Sequence, residues 1–226
     1  MNSLIKKIRL LRGVNFVKTL YFNFHYFPFF TAIRLPVFIH NRTKLLLMRG
    51  HVKIECPIRT GIIKIGVNDV GTLDYRYNRT IWQNSGDVLF KGKVFLGSGS
   101  KISVNKGAKL VFGDRFCITG GSSIICSKHI HFGCNNLLSW DILIMDSDLH
   151  NIYDYKHNRL NYPKDINIGD NVWIGCRSLI LKGVNVADGV IIGAGSKIVK
   201  DIHNPNSVIV GVDNQRILKE KIYWKM

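Results

Sequence analysis

The chain has 226 residues, of which 46% are hydrophobic and 21% charged, and its formal net charge is +17. That length suits one sizeable core and falls short of two full domains, and the composition excludes a disordered or fibrous chain. Five cysteines, an odd number with no C-x-x-C pair, exclude a disulfide framework and a paired-cysteine zinc site. The thiols are expected to be free, as in a reducing cytoplasm.

Residues 1–50 differ from the rest. Ten Lys and Arg precede Glu55, and no acidic residue does. Between Leu4 and Phe27, apolar residues recur at mixed spacings of three and four, with Lys6, Lys7, Arg9, Arg12 and Lys18 among them. The spacing predicts one or two short helices ending near Pro28. This segment reads either as a helical cap on the main domain or as a basic, aromatic element in peripheral contact with an anionic membrane. No recognised nucleic-acid motif accompanies the charge, so nucleic acid is not expected as a partner. The apolar runs are broken by Lys18, His25 and Arg34, and no small-residue cleavage site comes after them. Neither a signal peptide nor a spanning helix is therefore expected, and the expected location is the cytoplasm or the inner membrane surface.

Residues 51–90 are strand-like with turns (HVKIEC, GIIKIG, VGTLDY) and look like irregular early coils of the periodic region beyond them. From about residue 94 the chain is periodic. Ile168, Ile174, Ile180, Val186, Ile192 and Ile198 are spaced six apart. Two residues before each stand Ile166, Val172, Ser178, Val184, Val190 and Ser196. A helix with 3.6 residues per turn carries no apolar face at sixfold spacing. One long strand is excluded by the recurring G-D-N, K-G, A-D-G and G-A-G steps. Short strands with a corner every six residues account for both features, which is the signature of a parallel β-helix. The expected organisation is a β-helix over 51–212 and a tail over 213–226.

The period extends upstream through Phe112, Ile118, Ile124 and Ile130, slips by two, and resumes at Phe132, Leu138 and Ile144. The next in-phase slots hold His150, Lys156 and Tyr162, and a lysine is costly in a dry core. Ile168 is again on the register of Phe132. The chain is therefore expected to leave the prism after Ile144, form a loop over 145–165, and rejoin at Ile166. Such loops carry function.

The stretch INIGDNVWIG…GVIIGAGSKIVKDI, covering residues 166–202, resembles the C-terminal coils of the hexapeptide-repeat acyltransferases. The resemblance spans roughly residues 94–212 and is similar to the galactoside and maltose O-acetyltransferases. The stretch SWD…IMDSDLH, residues 139–150, looks more like the branch that acetylates bacterial surface polysaccharides. The resemblance implies a left-handed β-helix assembled as a homotrimer, with acetyl-CoA held between neighbouring prisms. It implies a loop histidine as catalytic base, and here the histidine nearest the prism exit is His150, 23 residues before Trp173. Trp173, Cys176, Ala194 and Lys200 match the positions that line the coenzyme site. The usual G-x-P with a following basic residue is GVDNQR here, with Asp213 in place of the proline and Gln215 in the basic slot.

The chemistry such a site faces is the weak nucleophilicity of an alcohol with a pKa of about 15 at neutral pH. A histidine that takes the proton as the new C–O bond forms contributes about 10²–10⁴ in rate. No metal is required, because the thiolate of CoA is the leaving group. Asp141, Asp146 and Asp148 are candidates for contacting acceptor hydroxyls, and the latter two also for orienting the imidazole. His129, His131, His157 and His203 do not form the three-ligand set of a metal hydratase. The expected function is O-acetylation of a sugar in a surface polysaccharide or its lipid-linked precursor. The alternatives are acetylation of a soluble small molecule (an antibiotic, a free sugar or a nucleotide-sugar amine) and a non-catalytic β-helix binding protein.

Overall fold

The computed structural model describes residues 13–67, 70–71, 73–74, 77–212 and 216–225. Lys6, Lys7, Arg9, Arg12, Asp213 and Gln215 lie outside the described residues. The chain winds as a left-handed parallel β-helix whose three faces, among the described residues, are sheets of nine, seven and six strands. One coil shows the path. Leu137–Trp140 lies on the nine-stranded face, Leu143–Met145 on the seven-stranded face and Ile166–Ile168 on the six-stranded face. Trp173–Ile174 then returns to the first face, one layer on.

Burial alternates along most strands of the coils, which deliver apolar side chains to the prism interior. Both six-spaced rows point inward. Ile168, Ile174, Ile180, Val186, Ile192 and Ile198 are all buried, as are Ile166, Val172, Ser178, Val184, Val190 and Ser196. The two-residue slip is also resolved. Ile130 and Phe132 are both inward positions of the strand His129–Phe132, and Phe132 pairs directly with Ile168 across the inserted loop. The earlier coils are filled by aromatic rings, with Phe112 stacked between Phe90 and Phe132 at centroid distances of 5.4 and 5.8 Å.

The prism starts earlier than the period suggests. Val37–Ile39, Thr43–Met48 and His51–Ile54 are the first strands of the three faces. The boundary expected at residue 50 therefore moves to about residue 37. The repeat is disguised there because a bulge between Leu45 and Leu47 shifts the register against Trp82 and Gln83, and because the inward residue at the strand's start is Thr43.

Among the described residues two helices precede this first coil, α1 (Phe16–Tyr26) and α2 (Phe29–Ala32). Asn15 caps α1 by accepting from the Lys18 N–H at 2.8 Å. An open β-helix end leaves an edge strand unpaired. Here α1 covers it: Thr19 Oγ1 accepts from the Ile39 N–H, and Asn23 bonds both the N–H and the carbonyl of Val37. Phe22 packs edge-on against Trp82, whose indole N–H donates to the Tyr26 hydroxyl at 3.2 Å.

Candidate functional site

The seven-stranded face separates two edges of the prism, and the expected site residues divide between them. On the edge shared with the six-stranded face, the chain leaves after Met145 and returns at Ile166. Asp146 roots the departure. It is fully buried, and its two oxygens accept from the N–H groups of Ser127 and Lys128 at 2.7 and 2.8 Å. A carboxylate occupied in this way is not available to an acceptor sugar or to the imidazole. Asp146 is an anchor, which corrects its reading as a substrate contact.

Beyond this root, Ser147 Oγ accepts from the Leu149 N–H, and Leu149 takes a left-handed φ of 64°. The turn carries His150 outward, and its residue is exposed. The slots at Lys156 and Tyr162 are exposed too. The return arm holds the turn in place through Asn161, which is buried. Its Nδ2 donates to the His150 carbonyl at 2.7 Å and to Asp148 Oδ2 at 2.8 Å, and its Oδ1 accepts from the Ile152 N–H at 2.6 Å. Asp148 also pairs with Lys182 of the next coil. The Lys182 ammonium, then Asn161, hold the Asp148 carboxyl below its ordinary range. Asp148 is thus occupied as a brace between loop and prism, although it remains partly exposed. Nothing in the sequence separates Asn161 from Asn151 or Asn158; only the return path of the loop does.

On the other edge, shared by the nine- and seven-stranded faces, Cys176 and Ala194 stack one coil apart, the Gly195 N–H donating to the Cys176 carbonyl at 2.8 Å. The corner residues of this edge, Gly99, Gly121, Asp141, Arg177 and Gly195, all have φ between 57° and 76°. Glycine adopts that region without strain, and Asp is among the side chains that tolerate it best. Ala194 and Gly195 are exposed, and a Cβ built on Gly195 meets no atom within 4 Å, so the backbone there is bare. Asp141 is exposed on this edge, against Gly121, and so stands apart from the loop that holds His150.

Trp173 projects from the nine-stranded face and is 37% exposed. Its indole N–H donates to Ser139 Oγ at 3.1 Å, and its ring lies 6.2 Å from that of Trp224 in the C-terminal tail. Lys200 does not join Cys176 and Ala194. It comes after the strand Lys197–Ile198 and stacks one coil beyond Lys182, on the loop edge. The structure thus brings Asp141, Cys176 and Ala194 to one edge and His150, Asp148 and Lys200 to the other. Cys126 is buried, which pushes its thiol pKa up, the neighbouring Asp146 carboxylate adding to the effect. Among the described residues, no three His, Cys, Asp or Glu side chains gather into a metal-ligating group.

A family model described as bacterial transferase hexapeptide (six repeats) matches residues 165–200. The polysialic acid O-acetyltransferase of Escherichia coli O1:K1 / APEC is 33% identical over 84 residues, which are 36% of this chain and 27% of that protein's length. Among solved structures, the polySia-specific acetyltransferase NeuO is 27% identical with a TM-score of 0.53, over 81% of this chain and 76% of that one. A galactoside acetyltransferase solved in complex with coenzyme A overlaps 97% of this chain and 84% of its own at 20% identity and a TM-score of 0.40. The chain carries the bacterial transferase hexapeptide repeat in its sequence and is similar to NeuO in its fold.

Proposed function

We propose that this hexapeptide-repeat chain is an O-acetyltransferase that moves an acetyl group from acetyl-CoA to a hydroxyl of a bacterial surface polysaccharide or its lipid-linked precursor. The observation that carries the reading is the loop of residues 146–165, which presents an exposed His150 from a backbone held by Asn161, Asp148 and Lys182. The likeness to polysialic acid O-acetyltransferases supports a glycan as acceptor.

Coenzyme A, when bound, supplies the acetyl group as an activated thioester. The edge at Cys176, Ala194 and Gly195 fits a pantetheine arm because its backbone is exposed and no side chain fills the space beside Gly195. His150 acts as general base, taking the acceptor hydroxyl proton as the new ester bond forms. The exposed Asp141 is the carboxylate left available to contact acceptor hydroxyls. Within one chain, His150 and the Ala194 edge flank opposite sides of the seven-stranded face. A complete site then needs the loop of one prism beside the glycine edge of another, which a homotrimer supplies. Lys200, on the loop edge, would meet the coenzyme from the neighbouring prism.

The test is thiol release from acetyl-CoA in the presence of a panel of glycan acceptors. His150→Ala is expected to lower kcat by about 10²–10⁴ while CoA binding by calorimetry and the oligomeric mass stay unchanged. Near-wild-type turnover in that variant overturns the assignment.

A further inference from the structure

A helix on a protein surface ordinarily turns its apolar stripe inward and its polar residues to water. In α1 both sides carry apolar residues. The inward side holds Phe22 together with Thr19 and Asn23, whose side chains bond the edge strand Val37–Ile39. The need to satisfy that edge explains the polar residues inside. It does not explain the outward side of α1 and α2, where Phe16, Leu20, Tyr21, Phe24, Phe29 and Phe30 are between 45% and 80% exposed. Phe24, Phe29 and Phe30 form a continuous aromatic surface, with successive centroids 6.1 and 5.7 Å apart. Contiguous apolar surface of this kind marks a contact with something apolar.

Charge decides what that partner is. The first acidic residue of the chain is Glu55, and ten Lys and Arg precede it. Two copies of this end facing each other would oppose cation to cation with no early carboxylate to relieve them. An anionic lipid surface takes both the rings and the charge. At 11 residues α1 is far too short to cross a bilayer, which takes about 20, so the helix lies along the surface.

We propose that the outward face of α1 and α2 docks the prism, capped end down, on an anionic phospholipid membrane. The rings enter the boundary between headgroups and acyl chains, and the exposed Arg34, just after α2, meets the lipid phosphates. This contact does not depend on the acetyltransferase reading, and its test reads no turnover. If both hold, a lipid-linked acceptor is met at the surface where the enzyme rests.

The full-length protein is sedimented with vesicles of phosphatidylcholine alone and of phosphatidylcholine with about 30% phosphatidylglycerol. Binding to the anionic vesicles only, weakened by added salt, is expected. The double variant Phe29→Ser, Phe30→Ser is expected to bind at least about tenfold more weakly with an unchanged melting curve, because both rings are already outside the core. Tyr223→Ser, at an exposed ring of the tail beside the last coils, is expected to bind as the parent does. Failure to pellet with anionic vesicles overturns the proposal, and so does equal binding to the neutral ones. A fall in oligomeric mass by light scattering for the double variant also overturns it, since the face would then lie between subunits.

Discussion

The two edges that flank the seven-stranded face repeat every 18 residues, as Cys176 and Ala194 do on one and Lys182 and Lys200 on the other, yet they are built in opposite ways. The loop edge is tied by side chains: Asp146 to two backbone N–H groups, Asn161 to both arms of the loop, Asp148 to Lys182. On the glycine edge the side-chain ties come from inward serines, Ser122 and Ser178, and the outer surface at Gly195 stays clear. The period sets where corners fall. The residue in each corner slot decides whether that corner holds a loop or leaves room for a ligand.

If the loop edge is an anchored scaffold, its root is the place where damage costs most stability. Asp146→Ala leaves the Ser127 and Lys128 N–H groups without their acceptor, and a loss of about 2–4 kcal/mol is expected in urea unfolding. Asn161→Ala is expected to leave most of that stability in place and to lower kcat about tenfold, or about 1.4 kcal/mol, by loosening the backbone of His150. A variant whose KM changes while kcat holds would mean that Asn161 does not position the base.

The glycine edge gives a different signature. Gly195→Val places a branched side chain at a φ of 71°, a strain of about 1–2 kcal/mol, and fills the space assigned to the pantetheine arm. A rise in KM for acetyl-CoA is expected, with little change in the affinity for acceptor. Unchanged KM would remove the coenzyme from this edge. The smallest effect is expected from Asp148→Asn, since a partly exposed pair is worth less than about 1 kcal/mol. The Asp148 carboxyl is held below its ordinary value, so its pairing contributes above that value and is lost as pH falls through the lowered one. Thermal midpoints from about pH 3 to about pH 7 should therefore show a smaller acid-side loss in the variant than in the parent.

Much of the fold is legible in the sequence because a β-helix stacks like residues. Each inward slot of the coils from Ile166 to Ile198 holds an aliphatic residue or a serine, and all are buried. The loop was legible by contradiction, since Lys156 and Tyr162 stand where the period demands apolar residues. The first coil was not, because its bulge at Leu45 and Leu47 and its inward Thr43 hide the repeat. Asp146 shows the opposite failure. Beside Asp148 in the sequence it reads as a second loop carboxylate, yet it is two positions nearer the prism and turns inward to the Ser127–Lys128 corner.

By itself the sequence determined the period, and with it which side chains line the prism and where the chain must leave it. A six-residue repeat of apolar residues admits no other compact solution, and hydrophobic burial enforces it at every coil. Only the tertiary structure decided how the outward residues are grouped. Lys200 joins Lys182 and the His150 loop, while Asp141 joins Cys176 and Ala194. Both groupings depend on which of the three corners each residue turns, and that requires counting coils through the interruption at residues 146–165, whose length leaves the prism unchanged.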